Sequence, residues 1–200
     1  MWDGDIQVTA VEIDPDIAAT YQYFFPEDKV IIGDAHEYLL NHYSEFDFIW
    51  ASPPCQTHSQ LANSSQKGNG IIRYPDMNLY QEIIFLKHFF EGKWVVENVR
   101  PYYEPLINPS FKLCRHVFWC NFNITHKNIE DSTRGLMNSI ANEPKMFQEI
   151  LGINLAGLSL PGQNKKRSVL RNCVLPELGK HIFDCAMGSI INEKQLGLFA

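Results

Sequence analysis

A cysteine placed directly after two prolines, Pro53-Pro54-Cys55, and a glutamate set within an apolar run, Trp94-Val95-Val96-Glu97-Asn98-Val99, are the residues of this chain best suited to covalent chemistry. Each proline fixes its own φ and confines its predecessor to extended shapes, so the thiol sits on a stiff mount that suits a nucleophile. Taken alone, a loop cysteine is more often a passive small hydrophobe, and reactivity requires a lowered pKa. A carboxyl among apolar neighbours has a raised pKa and can serve as an acid near neutral pH. Its competing reading is a strand-end group pointing to water. Glu12 and Asp34 follow two further apolar runs, positions from which acids hydrogen-bond ribose hydroxyls or an adenine amino group. Helix capping is the alternative there, open to both Asp14 and Asp34.

The elements that must position these residues alternate. Val8 to Ile13 reads as a strand, and Asp14-Pro15 opens a helix with Ile17, Ala18, Tyr21 and Phe24 on its apolar side, which Pro26 closes. Val30-Ile31-Ile32 gives a second strand before Gly33-Asp34, followed by a helix from about Ala35 to Tyr43. A third strand, Phe46 to Ala51, stops at Ser52-Pro53-Pro54. Residues 56 to 76 are polar, with Gly68-Asn69-Gly70 at the tip, and predict a long exposed loop of the kind that carries function. Leu79, Ile83, Leu86 and Phe90 recur at helical spacing up to Gly92, Trp94 to Val99 predicts a fourth strand, Val117 to Ile124 a fifth, and Pro144 to Leu151 a helix. This rhythm predicts an α/β fold with a doubly wound, mostly parallel sheet, because parallel neighbours need crossover connections. The unusual clusters all fall at carboxyl ends of strands, where such folds bind ligands.

At 200 residues, 45% hydrophobic and 20% charged, the chain can bury a core. No apolar run reaches membrane-spanning length and the first five residues are acidic, so neither membrane insertion nor export is expected. The five cysteines form no Cys-x-x-Cys pair, which predicts free thiols, no metal and a reducing cytoplasm. A net charge of −6 argues against a nucleic-acid partner until its distribution is examined: residues 1–60 carry eleven acids and one base, whereas 61–120 and 121–200 each carry a net +2. Lys165-Lys166-Arg167 is the densest basic run. It reads either as a DNA-facing patch or as a solvated surface.

Taken in order, these clusters resemble the DNA (cytosine-5) methyltransferase family from about Val8 to Ala186. The strongest element is Ser52-Pro53-Pro54-Cys55-Gln56 followed about forty residues later by Glu97-Asn98-Val99. Val11-Glu12-Ile13-Asp14 and Gly33-Asp34-Ala35 look like the family's cofactor-side segments, and Arg171-Asn172-Cys173-Val174-Leu175-Pro176 like its closing motif, with Arg171 in place of a glycine. The resemblance implies a sheet of the S-adenosylmethionine-dependent methyltransferase type. It implies Cys55 as nucleophile at carbon 6 of cytosine, Glu97 as acid at ring nitrogen 3, and a target nucleotide swung out of the duplex under the Gln56 to Pro75 loop. S-adenosylmethionine would be held by Glu12, Ile13, Asp34, Ala35, Pro53, Asn172 and Cys173. Where the family carries an arginine pair near the base, Lys112-Leu113-Cys114-Arg115-His116 offers Arg115, with His116 as a substitute. DNA would meet Gln56, Lys165, Lys166 and Arg167.

The family's Phe-x-Gly-x-Gly loop does not precede Val8, so the expectation is an N-terminally truncated fold that binds the methyl donor weakly alone, with a complementing N-terminal chain as one remedy. The segments expected are a catalytic core over 1–122, a small target-recognition region over 123–165, a return to the core over 166–192 and a tail over 193–200. In that tail Gln195, Leu196, Leu198 and Phe199 look like a peptide that docks on the replication sliding clamp. The competing reading is a terminal apolar turn packed on the domain. Two rival functions stand beside methylation of DNA: methylation of tRNA by the same attack, and a non-catalytic DNA- or clamp-binding remnant. The sequence does not choose among restriction–modification, orphan regulation and phage self-protection.

Overall fold

The computed structural model describes residues 6–60, 63–64, 74–133 and 143–188. They fall into two compact units, one holding residues 6–43 and 143–175, the other 44–133 and 176–188.

In the first unit β1 (Thr9–Glu12) and β2 (Lys29–Ile32) pair in parallel, with Glu12 opposite Ile32. The crossover between them is α1 (Pro15–Phe24). Pro15 stands where a missing N–H costs nothing, and Asp14 caps the helix by accepting from the backbone N–H groups of Asp16 and Ile17. Asp34 does the same for α2 (Ala35–His42), accepting from His36 and Glu37. Every residue of β1 and β2 keeps some exposure, and Ile13 and Ile32 are 68% and 62% exposed. The buried apolar side chains lie mostly in the later part of the unit. There α4 (Glu143–Leu151) packs on α5 (Gly162–Asn172) and buries Phe147, Leu151, Leu155, Val169 and Leu170.

The second unit is built on a four-stranded sheet in the order β3-β4-β6-β5. β3 (Phe48–Ala51) runs parallel to β4 (Lys93–Val99), β6 (His116–Cys120) runs antiparallel to β4, and β5 (Phe111–Leu113) antiparallel to β6. Trp94 to Asn98 and His116 to Trp119 are all buried, which explains why these stretches read as continuous rather than alternating apolar runs. The crossover helix α3 (Asn78–Phe89) buries Leu79, Tyr80, Ile83 and Leu86. Gly92 is required by close approach: a Cβ there would lie 2.6 Å from the Asp47 carbonyl oxygen. α6 (Pro176–Ala186) buries Leu178, His181 and Ile182, and its Phe183 meets Phe48 edge to face. No described helix is long and apolar enough to cross a membrane.

The alternation of strand and helix is therefore present, and the expected helix at 144–151 appears with one residue added. The described strands form two separate sheets, and two of the three pairings in the larger one are antiparallel. The fifth strand ends at Cys120 rather than Ile124, because the Asn121 side chain turns back to accept from the Trp94 N–H and donate to the Gly92 carbonyl. β5, α5 and α6 add to the expected elements.

Candidate active site

The register of the larger sheet fixes which side chains share a face. Glu97 lies opposite Phe118 and Val99 opposite His116 across the β4–β6 pair, so Glu97 and His116 project from one side. Asn98, next in sequence, projects from the other and donates through Nδ2 to the Pro53 carbonyl at 2.9 Å. One strand therefore carries the carboxyl on one face and pins the Pro53-Pro54-Cys55 segment on the other. Pro53 is buried, Cys55 half-buried and Gln56 exposed. The Cys55 carbonyl accepts from the N–H groups of His58 and Ser59, which winds the chain into a turn directly after the thiol.

Thiol and carboxyl occupy one electrostatic environment. Burial raises the Cys55 pKa, the nearby Glu97 carboxylate raises it further, and the Arg115 guanidinium opposes both. Glu97 is 8% exposed, and desolvation pushes its pKa up to about 7, against a hydrogen bond from Ser52 and the charge of Arg115. The Ser52 hydroxyl is fixed from behind, accepting from the Trp50 indole N–H at 3.0 Å. His116 Nε2 lies 3.5 Å from Glu97 Oε1. Burial first, then Arg115, hold the imidazole uncharged, with its pKa lowered to about 3.

A second polar assembly braces the cysteine turn. The fully buried His58 receives a hydrogen bond at Nδ1 from the Tyr103 hydroxyl at 2.6 Å; Tyr103 accepts in turn from Tyr80 of α3, and Tyr80 from the Leu106 N–H. Desolvation lowers the His58 pKa, and because the Tyr103 oxygen already accepts from Tyr80, the Tyr103 hydrogen is the one left for Nδ1. Ser52, Asn98 and this His58–Tyr103–Tyr80 chain are the supporting groups that the sequence did not assign. A polar hydroxyl directly before Pro-Pro and an amide directly after the glutamate were the available signals for the first two.

The acids expected to hold a cofactor lie in the other unit, at the carboxyl ends of β1 and β2. Glu12 accepts from the Asp14 N–H through Oε1, and Asp34 caps α2 through Oδ1, so the capping reading holds for Asp34 and Asp14 alike. Ile13 and Ala35 are exposed beside them. Asn172 is the exposed last residue of α5, and the Cys173 thiol donates to the Val169 carbonyl. Arg171, at the family's glycine position, forms a two-pronged ion pair with the buried Glu143, with its Nη2 2.9 Å from Oε2. The basic run expected to face DNA is largely committed to acids of its own unit. Lys165 binds Asp14 and Asp16, Arg167 lies 3.8 Å from Glu143, and Lys166 is half-buried. The tail residues Gln195, Leu196, Leu198 and Phe199, and much of the loop after Gln56, lie outside the described residues. Among the described residues no group of His, Cys, Asp and Glu side chains is placed to hold a metal.

A pinned thiol, a buried carboxyl in its electrostatic environment and a strand–helix alternation that sets both at strand ends define an α/β protein with a candidate active site. The family model for the C-5 cytosine-specific DNA methylases matches residues 5–106, just over half of the chain, and the chain belongs to that family. Among solved structures it is similar to the Entamoeba histolytica methyltransferase EhMeth, at 9% identity and a TM-score of 0.49, over 92% of this chain and 90% of that one. No curated protein matches it.

Proposed function

We propose that this chain transfers a methyl group to carbon 5 of cytosine in DNA through a covalent bond between Cys55 Sγ and carbon 6 of the ring. The observation that carries this reading is the shared environment of Cys55 and Glu97: burial raises the pKa of both, the Glu97 carboxylate raises that of Cys55 further, and Arg115 favours ionisation of each. Attack needs a thiolate with a neutral carboxyl beside it. Burial is the larger cause of the raised thiol pKa and the Glu97 carboxylate the second, so protonation of Glu97 removes the second; once the thiol has lost its proton to solvent, Glu97 supplies the proton that ring nitrogen 3 takes as sulfur adds to carbon 6. The electron pair released into the ring makes carbon 5 nucleophilic; after methylation a base removes the carbon 5 proton, the C5=C6 bond re-forms as the Sγ–C6 bond breaks to release the Cys55 thiolate, and ring nitrogen 3 returns its proton to the Glu97 carboxylate. Because carbon 6 is inaccessible in a duplex, the nucleotide must leave the stack, and the loop after Gln56 is placed in sequence to cover it.

S-adenosylmethionine supplies the methyl group when bound. The donor set suits it in kind: Glu12 and Asp34 each commit one carboxyl oxygen to the backbone, which leaves the other to accept from a ribose hydroxyl or an amino group. Ile13, Ala35, Pro53, Asn172 and Cys173 complete the set we propose. As functional segments, distinct from the compact units, we retain the core over 1–122, target recognition over 123–165, the return over 166–192 and the clamp-directed tail over 193–200. The core would complete a doubly wound sheet in the cytoplasm.

Trapping tests the reading. With a duplex containing 5-fluorocytosine and S-adenosylmethionine, the protein forms an adduct at Cys55, and Cys55→Ser forms none. An adduct with tRNA and not with DNA overturns the DNA reading. No adduct with either overturns catalysis and leaves a binding remnant.

A further inference from the structure

We propose that His58 is a positioning residue for Cys55: through its ring it hangs the turn that follows the thiol on the chain leaving β4, so that the nucleophile keeps its spacing from Glu97 of that same strand. The inference rests on the reading of Cys55 and Glu97 as a working pair, and it gives a part to a side chain that the chemistry itself does not use.

The thiol is bracketed along the chain. Before it, Asn98 of β4 donates to the Pro53 carbonyl. After it, the Cys55 carbonyl accepts from the N–H groups of His58 and Ser59 at 3.0 and 3.1 Å, and those two residues reach the segment beyond β4. The Tyr102 N–H donates to the His58 carbonyl at 3.1 Å, Ser59 and Pro101 form an antiparallel bridge, and the Tyr103 hydroxyl donates to His58 Nδ1 at 2.6 Å. The receiving segment is itself anchored. Its Arg100 N–H donates to the Arg115 carbonyl at 3.1 Å, and Tyr80 of α3 donates to the Tyr103 oxygen. His58 is thus held at its carbonyl and at its ring, and attachment at both keeps the turn from rotating about either.

Packing alone does not call for an imidazole here. With Tyr103 donating to Nδ1, the neutral ring carries its proton on Nε2. That nitrogen is buried with no hydrogen-bond partner among the described residues, although the charge and the backbone of Asp76 favour a proton on the ring. A phenyl ring would fill the space without burying an unmatched donor, so the acceptor at Nδ1 is what the imidazole adds. Tyr103 requires that acceptor. Its oxygen already takes the Tyr80 hydrogen, and without Nδ1 its own hydrogen would be left unmatched against the cysteine turn. The two side chains are therefore replaceable as a pair: two apolar rings suit each other, whereas one apolar ring facing one hydroxyl does not.

The experiment reads the spacing through Glu97→Gln, because the Glu97 carboxylate raises the Cys55 pKa while Arg115 lowers it. Alkylation of Cys55 by iodoacetamide is followed across pH by mass spectrometry on the protein alone. The thiol midpoint should be lower in Glu97→Gln than in wild type. In a His58→Phe background that difference should shrink by about half or more, and in His58→Phe/Tyr103→Phe it should return. Tyr103→Phe, which deletes only a hydroxyl, should shrink it as well and keeps the test open if His58→Phe does not fold. In methyl transfer, kcat in His58→Phe should fall about ten- to a hundredfold with KM for DNA little changed, and the paired replacement should recover most of that loss. A Glu97 effect that is the same in both single variants as in wild type, or a paired variant no better than the worse single one, overturns the proposal. No Glu97 effect in wild type overturns both the proposal and the reading on which it rests. If the Glu97 effect is lost and restored as expected while wild type transfers no methyl group, the proposed function fails and the positioning role stands.

Discussion

The two compact units are held together by different means. In the unit of residues 44–133 and 176–188, β4 and β6 are buried along almost their whole length, and Val95, Val96 and Phe118 have no exposed surface at all. In the unit of residues 6–43 and 143–175, no residue of β1 or β2 is fully buried, and acids do much of the joining: Asp14 caps α1 and binds Lys165 of α5, and Glu143 of α4 binds Arg171 of α5. The difference suits the roles proposed for each set of residues. As proposed, Cys55 and Glu97 would have to be aligned on a reacting carbon to within a fraction of an ångström, and dense packing supplies that. Glu12 and Asp34, in the proposed donor site, would tolerate a looser mount at their strand ends.

The widest expected gap between the units appears on truncating a strand side chain in each. Phe118→Ala removes a ring with no exposed surface and should lose about 3–5 kcal/mol in urea denaturation. Ile32→Ala, on a residue 62% exposed, should cost less than about 1 kcal/mol. Equal losses at the two sites would erase the contrast between them.

A smaller effect sharpens the electrostatic half of the comparison. The Glu143 side chain is 2% exposed and that of Arg171 33% exposed, so the partners are not equivalent. Arg171→Met strands a buried carboxylate with only Arg167 at 3.8 Å, and about 3 kcal/mol or more should be lost. Glu143→Gln leaves two partly exposed guanidinium groups that water can solvate, and the loss should be less than about half of that. Thermal melts of both variants check the ordering; a Glu143→Gln variant that is the weaker of the two would show that burial of the acid does not govern this contact.

These interactions mark where sequence stops being legible. The strand ends could be read because apolar runs and Pro-Pro punctuation are local, and Cys55 with Glu97 because both interrupt such runs. Arg171 looked like a defect in a closing motif, since its partner lies 28 residues away across a helix pair. Lys165-Lys166-Arg167 read either as a DNA-facing patch or as a solvated surface, and the ion pairs of Lys165 with Asp14 and Asp16 were hidden because those acids are some 150 residues upstream. α5 escaped notice because its surface is mostly polar and only Val169 and Leu170 are buried. β5 is three residues long, too short for any period to register. His58 sat in a polar loop with no sign that Tyr80 and Tyr103 converge on it.

The smallest predicted effect lies in the well-packed unit itself, at a place where packing does not decide. β5 and β6 are joined through Cys114 and Arg115 alone, and Cys114 takes φ +53°, the only positive φ outside glycine among the described residues. A two-residue hairpin needs such a conformation to follow the strand twist, and a side chain there costs about 1 kcal/mol that glycine avoids. The thiol returns little, since its contact with the Ile129 carbonyl is 3.9 Å long and burial pushes its pKa up, away from reactivity. Glycine also loosens the unfolded chain, which offsets part of the gain. Cys114→Gly should therefore stabilise by about 0.5 kcal/mol, read as a higher urea midpoint at unchanged slope. A lower midpoint would mean that the Cys114 side chain contributes packing that its geometry does not suggest, and that even the turns of this unit depend on burial.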